Sequence, residues 1–332
     1  MQPNGNIERV LLFPRSGYSN RLQAMASSAI LAKRLGAEFR ICWESENVVP
    51  EGPELTFDPQ FCAEVMVTPM QCKDDWGIVR DELPRYLHVL PERRLIVLAG
   101  HERGEQVFMA DLARAIEAAS HSTTIVIIAG GQFFLDSDSS LHPNWQSKFR
   151  AARHDYYASV PFHPAIESGA ARAIADREPF LGLHLRYTDR AHQAPLDSQI
   201  RTALLSAADS SGLANVFVAA DSRATREGWS KVAGEVGLQP WSFNHGSWDR
   251  SASGSGQAAL TDWRILTRAE RLIYFAESTF AEEAAVASSG YERSIALRAS
   301  AVRSTLLRAR GLAQAAASYP QRHGWLRRSS SD

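Results

Sequence analysis

A histidine and an arginine beside a short apolar segment could bind an anion in this 332-residue chain. The segment, residues 180–185, is apolar except for His184, and Arg186 and then Asp189 follow it. Such a segment predicts a buried strand, whose alternating side chains place His184 and Arg186 on one face. A guanidinium there offers a rigid fork of donors that suits a phosphate, at the strand end where open α/β sheets bind ligands. The alternative is an idle, solvated pair between an arginine and Asp189.

Residues 184–190, His-Leu-Arg-Tyr-Thr-Asp-Arg, resemble a signature of the fucosyltransferase superfamily. That superfamily includes the protein O-fucosyltransferases, the α1,6-fucosyltransferases and the bacterial nodulation fucosyltransferases, and its members carry His-x-Arg, often followed by Arg-Thr-Asp. The resemblance implies that Arg186 binds the β-phosphate of a GDP-sugar and that His184 lies near the nucleotide. Tyr187 stands where the α1,6 enzymes have a second arginine, so any role of that arginine is lost.

A second candidate anion site lies between a predicted strand at residues 9–15 and a predicted helix at residues 20–35. The connecting residues are Ser-Gly-Tyr-Ser-Asn, and a helix that begins after such a loop presents free N–H groups and the positive end of its dipole. The loop resembles the Gly-Gly-x-Gly-Asn turn of the same superfamily. Gly17 and Asn20 match it, whereas two serines stand where glycines are usual. The alternative is an ordinary helix cap at Ser19 or Asn20.

Asp221 ends another predicted strand, at residues 215–221. Residues 219–222, Ala-Ala-Asp-Ser, resemble the second motif of the superfamily, commonly Ala-Thr-Asp-Asp or Ala-Thr-Asp-Ser. A carboxylate there can accept from both the N1–H and the exocyclic amine of guanine, an edge that adenine lacks. The alternative is that Asp221 caps the following helix together with Ser222.

A fourth resemblance consists of Asp262 in a predicted helix, a predicted strand at residues 271–275, and the sequence Ser278-Thr279-Phe280 at the start of the next helix. The superfamily has an aspartate, a short strand and a Ser-Ser-Phe-like helix start in this order. The resemblance implies that all four side chains lie at the donor site. Hydroxyls and free N–H groups at such a helix start would donate to a diphosphate. An ordinary Ser/Thr cap beside a buried phenylalanine is the alternative.

Asp136 and Asp138 follow the predicted strand at residues 123–131 with the spacing of an Asp-x-Asp metal site. Two such carboxylates could share a divalent cation with a diphosphate. The surrounding residues are equally typical of a solvated turn. We expect no metal and no other cofactor, and keep a metal-dependent transferase as an alternative.

No general base is evident from the sequence. In the α1,6 enzymes a glutamate eight residues after the first arginine of the motif is assigned this role, and the corresponding residue here is Ala194. Asp189, His192 and Glu277 are the nearby ionisable groups. Each also has a plain explanation: an ion pair, an exposed loop and a helix N-terminus, respectively. Because the protein O-fucosyltransferases also lack an obvious base, we expect no single one of these groups to be indispensable.

The composition is that of an ordinary globular protein, with 45% hydrophobic and 22% charged residues. A formal net charge of −1 provides no general attraction for nucleic acid or a membrane surface. The apolar runs are too short to predict a membrane span. The three cysteines, Cys42, Cys62 and Cys72, are an odd number without metal-site spacing. We therefore expect reduced thiols and a cytoplasmic location.

Strands alternate with helices in both halves of the chain, which predicts doubly wound parallel sheets. One of the shorter strands is predicted at residues 241–244. The resemblance implies a GT-B-like fold, with two Rossmann-like domains facing a cleft. Residues 1–160 would form the acceptor-side domain with the Gly/Ser-Asn loop, and residues 161–332 the nucleotide-sugar domain. The implied activity is metal-independent transfer of a sugar, most simply fucose, from a GDP-sugar to a glycan or protein acceptor. A catalytically silent nucleotide-sugar-binding protein is a further alternative.

Overall fold

A computed structural model of the chain describes residues 7–78, 87–91, 94–99, 105–134, 144–187, 194–249 and 251–299. The elements of the first half are, in order, β1 (Ile7–Pro14), α1 (Tyr18–Leu35), β2 (Glu38–Cys42), α2 (Pro53–Thr56), α3 (Pro59–Val65), β3 (Met66–Val67), α4 (Pro69–Trp76), β4 (His88–Leu90), β5 (Leu95–Ala99), α5 (Glu105–Ala118), β6 (Thr123–Ala129) and α6 (Trp145–Ser159). Those of the second half are α7 (Pro164–Ile174), β7 (Leu181–Leu185), α8 (Asp197–Ser211), β8 (Asn215–Ala220), α9 (Arg223–Glu235), β9 (Gln239–Trp241), α10 (Ser255–Leu266), β10 (Arg271–Phe275), α11 (Thr279–Ala287), a 3₁₀ helix (Tyr291–Arg293) and β11 (Ile295–Leu297).

The strands form two sheets, one in each half of the chain. The first has the order β3-β2-β1-β6-β5-β4 and the second the order β11-β10-β7-β8-β9. All the pairings are parallel except that between β4 and β5. The central strands β5, β6 and β7 are apolar along nearly their whole length and buried, as expected for parallel strands covered on both faces. The predicted doubly wound α/β architecture is confirmed.

One buried cluster joins the two sheets through the helices between them. It contains Leu12 of β1 and Ile127 of β6 from the first sheet, and Phe217 of β8 and Leu272 of β10 from the second. Side chains of α1, α5, α6, α7, α10 and α11 fill the space between these strands. We call the sheet faces that contribute to this cluster the inner faces. On the outer face of the second sheet, α8 and α9 cover a separate cluster that includes Leu204.

The domain boundary proposed at residue 160 falls at Val160, the C-cap of α6. Helix α6 packs against both α1 of the first half and α11 of the second. The boundary therefore stays a prediction. Among the described helices, none combines the length and the apolar character that crossing a membrane requires.

The strand predicted at residues 241–244 is misplaced. Strand β9 spans Gln239–Trp241, in register with β8 through the pairs Asn215–Gln239 and Phe217–Trp241. Trp241 is buried against Phe180 and Phe217, so the apolar residue that suggested a strand start is its last residue.

Candidate functional site

The second sheet reverses its winding direction at β7. This strand lies between β8 and β10. The helices that lead from β7 towards β9, α8 and α9, cover the outer face, whereas α10 and α11 cover the inner face. Ligands of open α/β sheets bind outside the carboxyl ends of the strands at such a switch point. His184 and Arg186 lie at the end of β7, and Ser278 follows the end of β10.

The starts of α1 and α11 lie side by side at this switch point. The hydroxyl oxygens of Ser19 and Thr279 are 3.1 Å apart. One helical turn further along both helices, Gln23 Nε2 donates to Glu283 Oε1 over 2.7 Å. Because the two contacts have the same separation in sequence, 260 residues, the helices run in the same direction with their N-termini together.

Paired helix N-termini have features that suit the binding of an anion. Each presents N–H groups that have no partner within its helix, and each carries the positive end of a helix dipole. The N-caps Gly17 and Ser278 supply no side-chain hydrogen bond to these groups. A Cβ on Gly17 would meet no other atom within 4 Å, so the space beside this turn is open. Two adjacent positive ends repel one another, and a diphosphate between them would relieve that repulsion.

The alternative of a helix cap at Ser19 or Asn20 does not hold, because the N-cap of α1 is Gly17. Ser19 instead faces Thr279, and the half-buried Asn20 makes no side-chain hydrogen bond within the described part of the chain. Ser16, which stands where the motif has glycine, adopts a left-handed backbone conformation with φ of 69°. That conformation explains why a glycine suits the position.

His184 is buried against the start of α11. Its ring stacks on Phe280, with centroids 5.2 Å apart, and its Nδ1 lies 3.5 Å from the Ser278 hydroxyl. Burial lowers the pKa of His184 to about 4, an effect that Asp221 opposes and Arg186 reinforces. The imidazole is therefore neutral near pH 7. It can orient the first turn of α11 without adding charge to the site.

Arg186 is half-buried and lies one residue beyond β7, near enough to His184 for its charge to act on that ring. The next side chain, Tyr187, packs edge-on against Phe275 with ring centroids 5.3 Å apart. The Tyr187 hydroxyl donates to Asp197 over 3.4 Å. Tyr187 thus belongs to the outer face of the sheet, whereas strand alternation directs Arg186 to the inner face.

Asp221 lies directly beyond β8, next to the end of β7. Its backbone N–H donates to the carbonyl of Leu185 over 3.3 Å, and its charge acts on His184. The cap of α9 is Ser222, whose hydroxyl accepts from the backbone N–H of Thr225 over 3.3 Å. Of the alternative, a helix cap formed by Asp221 together with Ser222, the N-cap position belongs to Ser222.

Asp262 lies on α10 and is joined to the loop that follows β9. Its Oδ2 is 2.7 Å from Nε2 of His245, whose ring stacks on Trp248 with centroids 4.7 Å apart. Burial raises the pKa of Asp262, and the contact with His245 opposes that shift. Its Oδ1 is buried without a hydrogen-bond partner among the described residues. A polar ligand that reaches this carboxylate would find one acceptor still open.

Of the three candidate bases, only Glu277 lies within the described residues. It precedes Ser278 and is half-buried, and its Oε2 has no hydrogen-bond partner among the residues described. Ala194, which corresponds to the base of the α1,6 enzymes, is fully buried in the outer cluster. A residue at that position would not face the helix starts.

The remaining predicted residues lie outside the described part of the chain. They are Asp189, His192, Asp136 and Asp138. In the residues that the structure does describe, no group of three or more His, Cys, Asp or Glu side chains is arranged to hold a metal ion.

A buried carboxylate that the sequence did not single out connects the two sheets near the site. Glu51 Oε1 accepts from the backbone N–H of Gly256 over 2.8 Å, and its Oε2 accepts from the Tyr18 hydroxyl. Burial and the Glu51 contact raise the pKa of Tyr18, so this hydroxyl remains a donor. A Cβ on Gly256 would overlap both of these side-chain groups. The first turn of α1 is thereby fixed to the start of α10.

The two parallel sheets and their covering helices define an α/β protein, and the paired helix starts at its switch point are suited to binding an anion. No protein-family model and no curated protein matches the chain. It is similar in structure to the NodZ α1,6-fucosyltransferase soaked with GDP-fucose, with 16% identity and a TM-score of 0.54 over 85% of this chain and 93% of NodZ. The structure of NodZ from Bradyrhizobium matches with 16% identity and a TM-score of 0.53, over 83% of this chain and 92% of NodZ. A variant of Arabidopsis thaliana FUT1 in complex with GDP matches with 15% identity and a TM-score of 0.55, over 85% of this chain and 68% of FUT1.

The chain therefore has the fold of these fucosyltransferases. The resemblance found in four short segments is matched at the level of the fold, and the predicted GT-B-like architecture is confirmed.

Proposed function

We propose that this protein is a metal-independent glycosyltransferase that moves fucose from GDP-fucose to a glycan or protein acceptor. The observation that carries the proposal is the parallel pairing of α1 and α11, which brings two helix N-termini to one place at the switch point. A nucleoside diphosphate has the negative charge and the acceptor oxygens that bind to two adjacent helix N-termini. The fold shared with fucosyltransferases supports fucose as the sugar.

The donor would lie across the carboxyl ends of β7, β8 and β10. Its β-phosphate would accept from the guanidinium of Arg186, from the hydroxyls of Ser278 and Thr279, and from the free N–H groups of α11. The turn at Gly17 would approach the same phosphates from the other sheet. Asp221 and Asp262 supply the carboxylates for the guanine edge.

Transfer breaks the bond between the anomeric carbon and the β-phosphate oxygen, and the electron pair leaves with GDP. Negative charge then grows on that oxygen, where Arg186 and the start of α11 stabilise it, as an oxyanion hole does. The acceptor hydroxyl attacks the oxocarbenium-like carbon, a bond forms between its oxygen and that carbon, and its proton passes to the departing β-phosphate or to water. His184, which is neutral near pH 7, orients Ser278 and Phe280 and carries no charge into this step.

The rest of the proposal concerns the setting of the reaction. Residues 1–160 would bind the acceptor and residues 161–332 the nucleotide-sugar. We propose that the enzyme needs no cofactor, binds no nucleic acid and works in the cytoplasm.

Two alternatives make different predictions. A metal-dependent transferase built on Asp136 and Asp138 would lose activity in EDTA and recover it with Mg²⁺ or Mn²⁺. A catalytically silent protein would bind GDP-fucose without transfer or hydrolysis. Ala194 stands where the α1,6 enzymes have a glutamate as general base, and this missing carboxylate is the sequence feature that favours the second alternative.

A thermal-shift screen against GDP-, UDP-, dTDP- and ADP-sugars tests the nucleotide. A ligand at a hundred times its dissociation constant adds about 2.7 kcal/mol to stability. We expect a clear rise in Tm with GDP and GDP-fucose alone. A rise with a UDP-sugar and none with GDP would contradict the assignment. Release of GDP from GDP-fucose is then measured over an acceptor panel, with and without EDTA. The result distinguishes the metal-independent transferase, the metal-dependent transferase and the catalytically silent protein.

A further inference from the structure

Glu283 forms the second contact between α1 and α11, one helical turn behind the hydroxyls at the helix starts. Its side chain is fully buried. Oε1 accepts from Gln23 Nε2 over 2.7 Å and from a terminal nitrogen of Arg153 over 2.6 Å, and Oε2 accepts from the Tyr157 hydroxyl. Gln23 belongs to α1, whereas Arg153 and Tyr157 belong to α6. Three helices thus meet at one carboxylate.

The donors around this carboxylate keep their protons at neutral pH. Burial acts to lower the pKa of Arg153, but the negative charge and hydrogen bond of Glu283, together with smaller effects of Tyr157 and Glu282, raise it overall. Burial raises the pKa of Tyr157 well above its usual value, and Glu283 adds to this effect. Both side chains therefore donate to Glu283 throughout the range in which an enzyme would work.

A buried ion pair of this kind adds little net stability, because removing both charges from water offsets most of their attraction. What it does fix is geometry. The Arg153 guanidinium and the Tyr157 hydroxyl allow the Glu283 carboxylate few positions. Glu283 lies on the same face of α11 as Thr279. The positive ends of α1 and α11 repel one another, so their close approach needs such a restraint.

We propose that Glu283 is a positioning residue that holds the start of α11 against the start of α1, so that both helices donate to the same diphosphate. The inference rests on the proposed function, and it assigns the alignment of the donor site to a residue that does not touch the donor. Without the carboxylate, α11 can shift relative to α1. A displacement of about 1 Å at a catalytic site can cost about a hundredfold in rate.

The test compares variants of Glu283 with a control in the outer cluster. Glu283→Ala removes the acceptor, Glu283→Gln keeps the shape, and the exchange Gln23→Glu with Glu283→Gln restores one carboxylate beside Arg153. Leu204→Ala creates a cavity under α8, on the face away from the helix starts. GDP affinity is measured by titration calorimetry, and kcat and KM for GDP-fucose at a fixed acceptor concentration, after circular dichroism has confirmed folding.

We expect Glu283→Ala to weaken GDP binding about tenfold. Its kcat should fall more, towards the roughly hundredfold loss that a misplacement of about 1 Å can cause. Glu283→Gln should fall between Glu283→Ala and the wild type, and the exchange should recover most of the loss. Leu204→Ala should lose Tm but keep the wild-type affinity for GDP.

Two results would overturn the inference. One is wild-type GDP affinity and kcat in Glu283→Gln and in Glu283→Ala where it folds. The other is a loss in Leu204→Ala equal to that in the Glu283 variants. Both assume that the wild type binds GDP; a wild type that does not bind GDP contradicts the proposed function itself, which the thermal-shift screen detects beforehand.

Discussion

The hydroxyls of Ser19 and Thr279 lie 3.1 Å apart, although 260 residues separate them in the chain. Each belongs to the first turn of its helix, and the two helices follow strands of different sheets. The proposed diphosphate site is therefore divided between the two halves of the chain, and neither half contains it alone.

Arg186 tests the proposed stabilisation of the leaving group. Arg186→Lys keeps the charge but loses the fork of donors, and we expect turnover to fall about 10²-fold with the fold intact. Arg201→Lys is a matched control, because Arg201 forms an exposed pair with Glu235 on the outer face. Turnover is measured with saturating GDP-fucose. Near-normal turnover in Arg186→Lys would exclude a bidentate contact.

Asp221 tests guanine recognition. Asp221→Asn replaces one acceptor by a donor, which faces the donor edge of guanine, so we expect GDP binding to weaken more than kcat falls. Asp209→Asn, an exposed carboxamide substitution on α8, is the control. Calorimetric titration with GDP decides between the outcomes. Equal affinity in Asp221→Asn and wild type would remove Asp221 from the nucleotide site.

The proposed mechanism predicts that no single general base is indispensable, because departure of GDP precedes deprotonation. Turnover should therefore change little in Asp189→Asn, His192→Ala and Glu277→Gln. Loss of a general base typically costs about 10²–10⁴-fold. A loss of that size in one variant, with donor affinity and folding unchanged, would identify the base and refute the prediction.

His184 predicts a pH dependence of stability. Its pKa is about 4 in the folded chain and near 6.5 when exposed, so the unfolded state takes up a proton first as the pH falls. The stabilising effect of the neutral ring is complete above pH 6.5 and is lost progressively between pH 6.5 and 4. The difference between the folded and unfolded pKa of His184 corresponds to a loss of about 3 kcal/mol in the free energy of unfolding.

Denaturant unfolding of wild type and His184→Gln at pH 7 and at pH 4 measures this effect. The wild type should lose more free energy of unfolding than the variant, which has no group to titrate at that position. Equal losses in the two proteins would show that His184 keeps an ordinary pKa.

The close contacts of Gly256 predict that any larger side chain at this position destabilises the packing between the two halves of the chain. In Gly256→Ala the new methyl group overlaps the Tyr18 hydroxyl and the Glu51 carboxylate, so we expect a loss of roughly 1–3 kcal/mol in the free energy of unfolding. Gly228→Ala is the control, because a Cβ there would meet no atom within 4 Å apart from the backbone of its own helical turns, and alanine favours a helix by up to about 1 kcal/mol. Urea titration compares the two variants. Equal stabilities would contradict the packing at Gly256.

Much of the fold could be predicted because its central strands are short apolar runs between polar turns. Strand β10 has the predicted bounds, 271–275, and β7 begins only one residue later than expected. The short helices within residues 45–90 lack a clear hydrophobic period, and their sequence signal lies in their first residues instead. The helices α3 and α4 begin with proline directly after the N-caps Asp58 and Thr68, the pattern of a helix start.

The contacts of the candidate site were much less predictable than its motifs. Sequence spacing placed Ser278 and Thr279 at a helix start, but it could not show that Ser19 lies opposite them, because that contact depends on how the two sheets pack. Glu283 had a partial signal, since a charged residue within an apolar stretch of helix needs a buried partner. Its partners on α1 and α6 are distant in sequence and were not identifiable.

The buried cluster that connects the two sheets has a thermodynamic consequence. Two sheets that share one apolar core cannot unfold one after the other without exposing that core, so the chain should melt as a single cooperative unit. A nucleotide bound mainly to residues of the second sheet would then protect the first sheet equally against denaturation, although it contacts little of it.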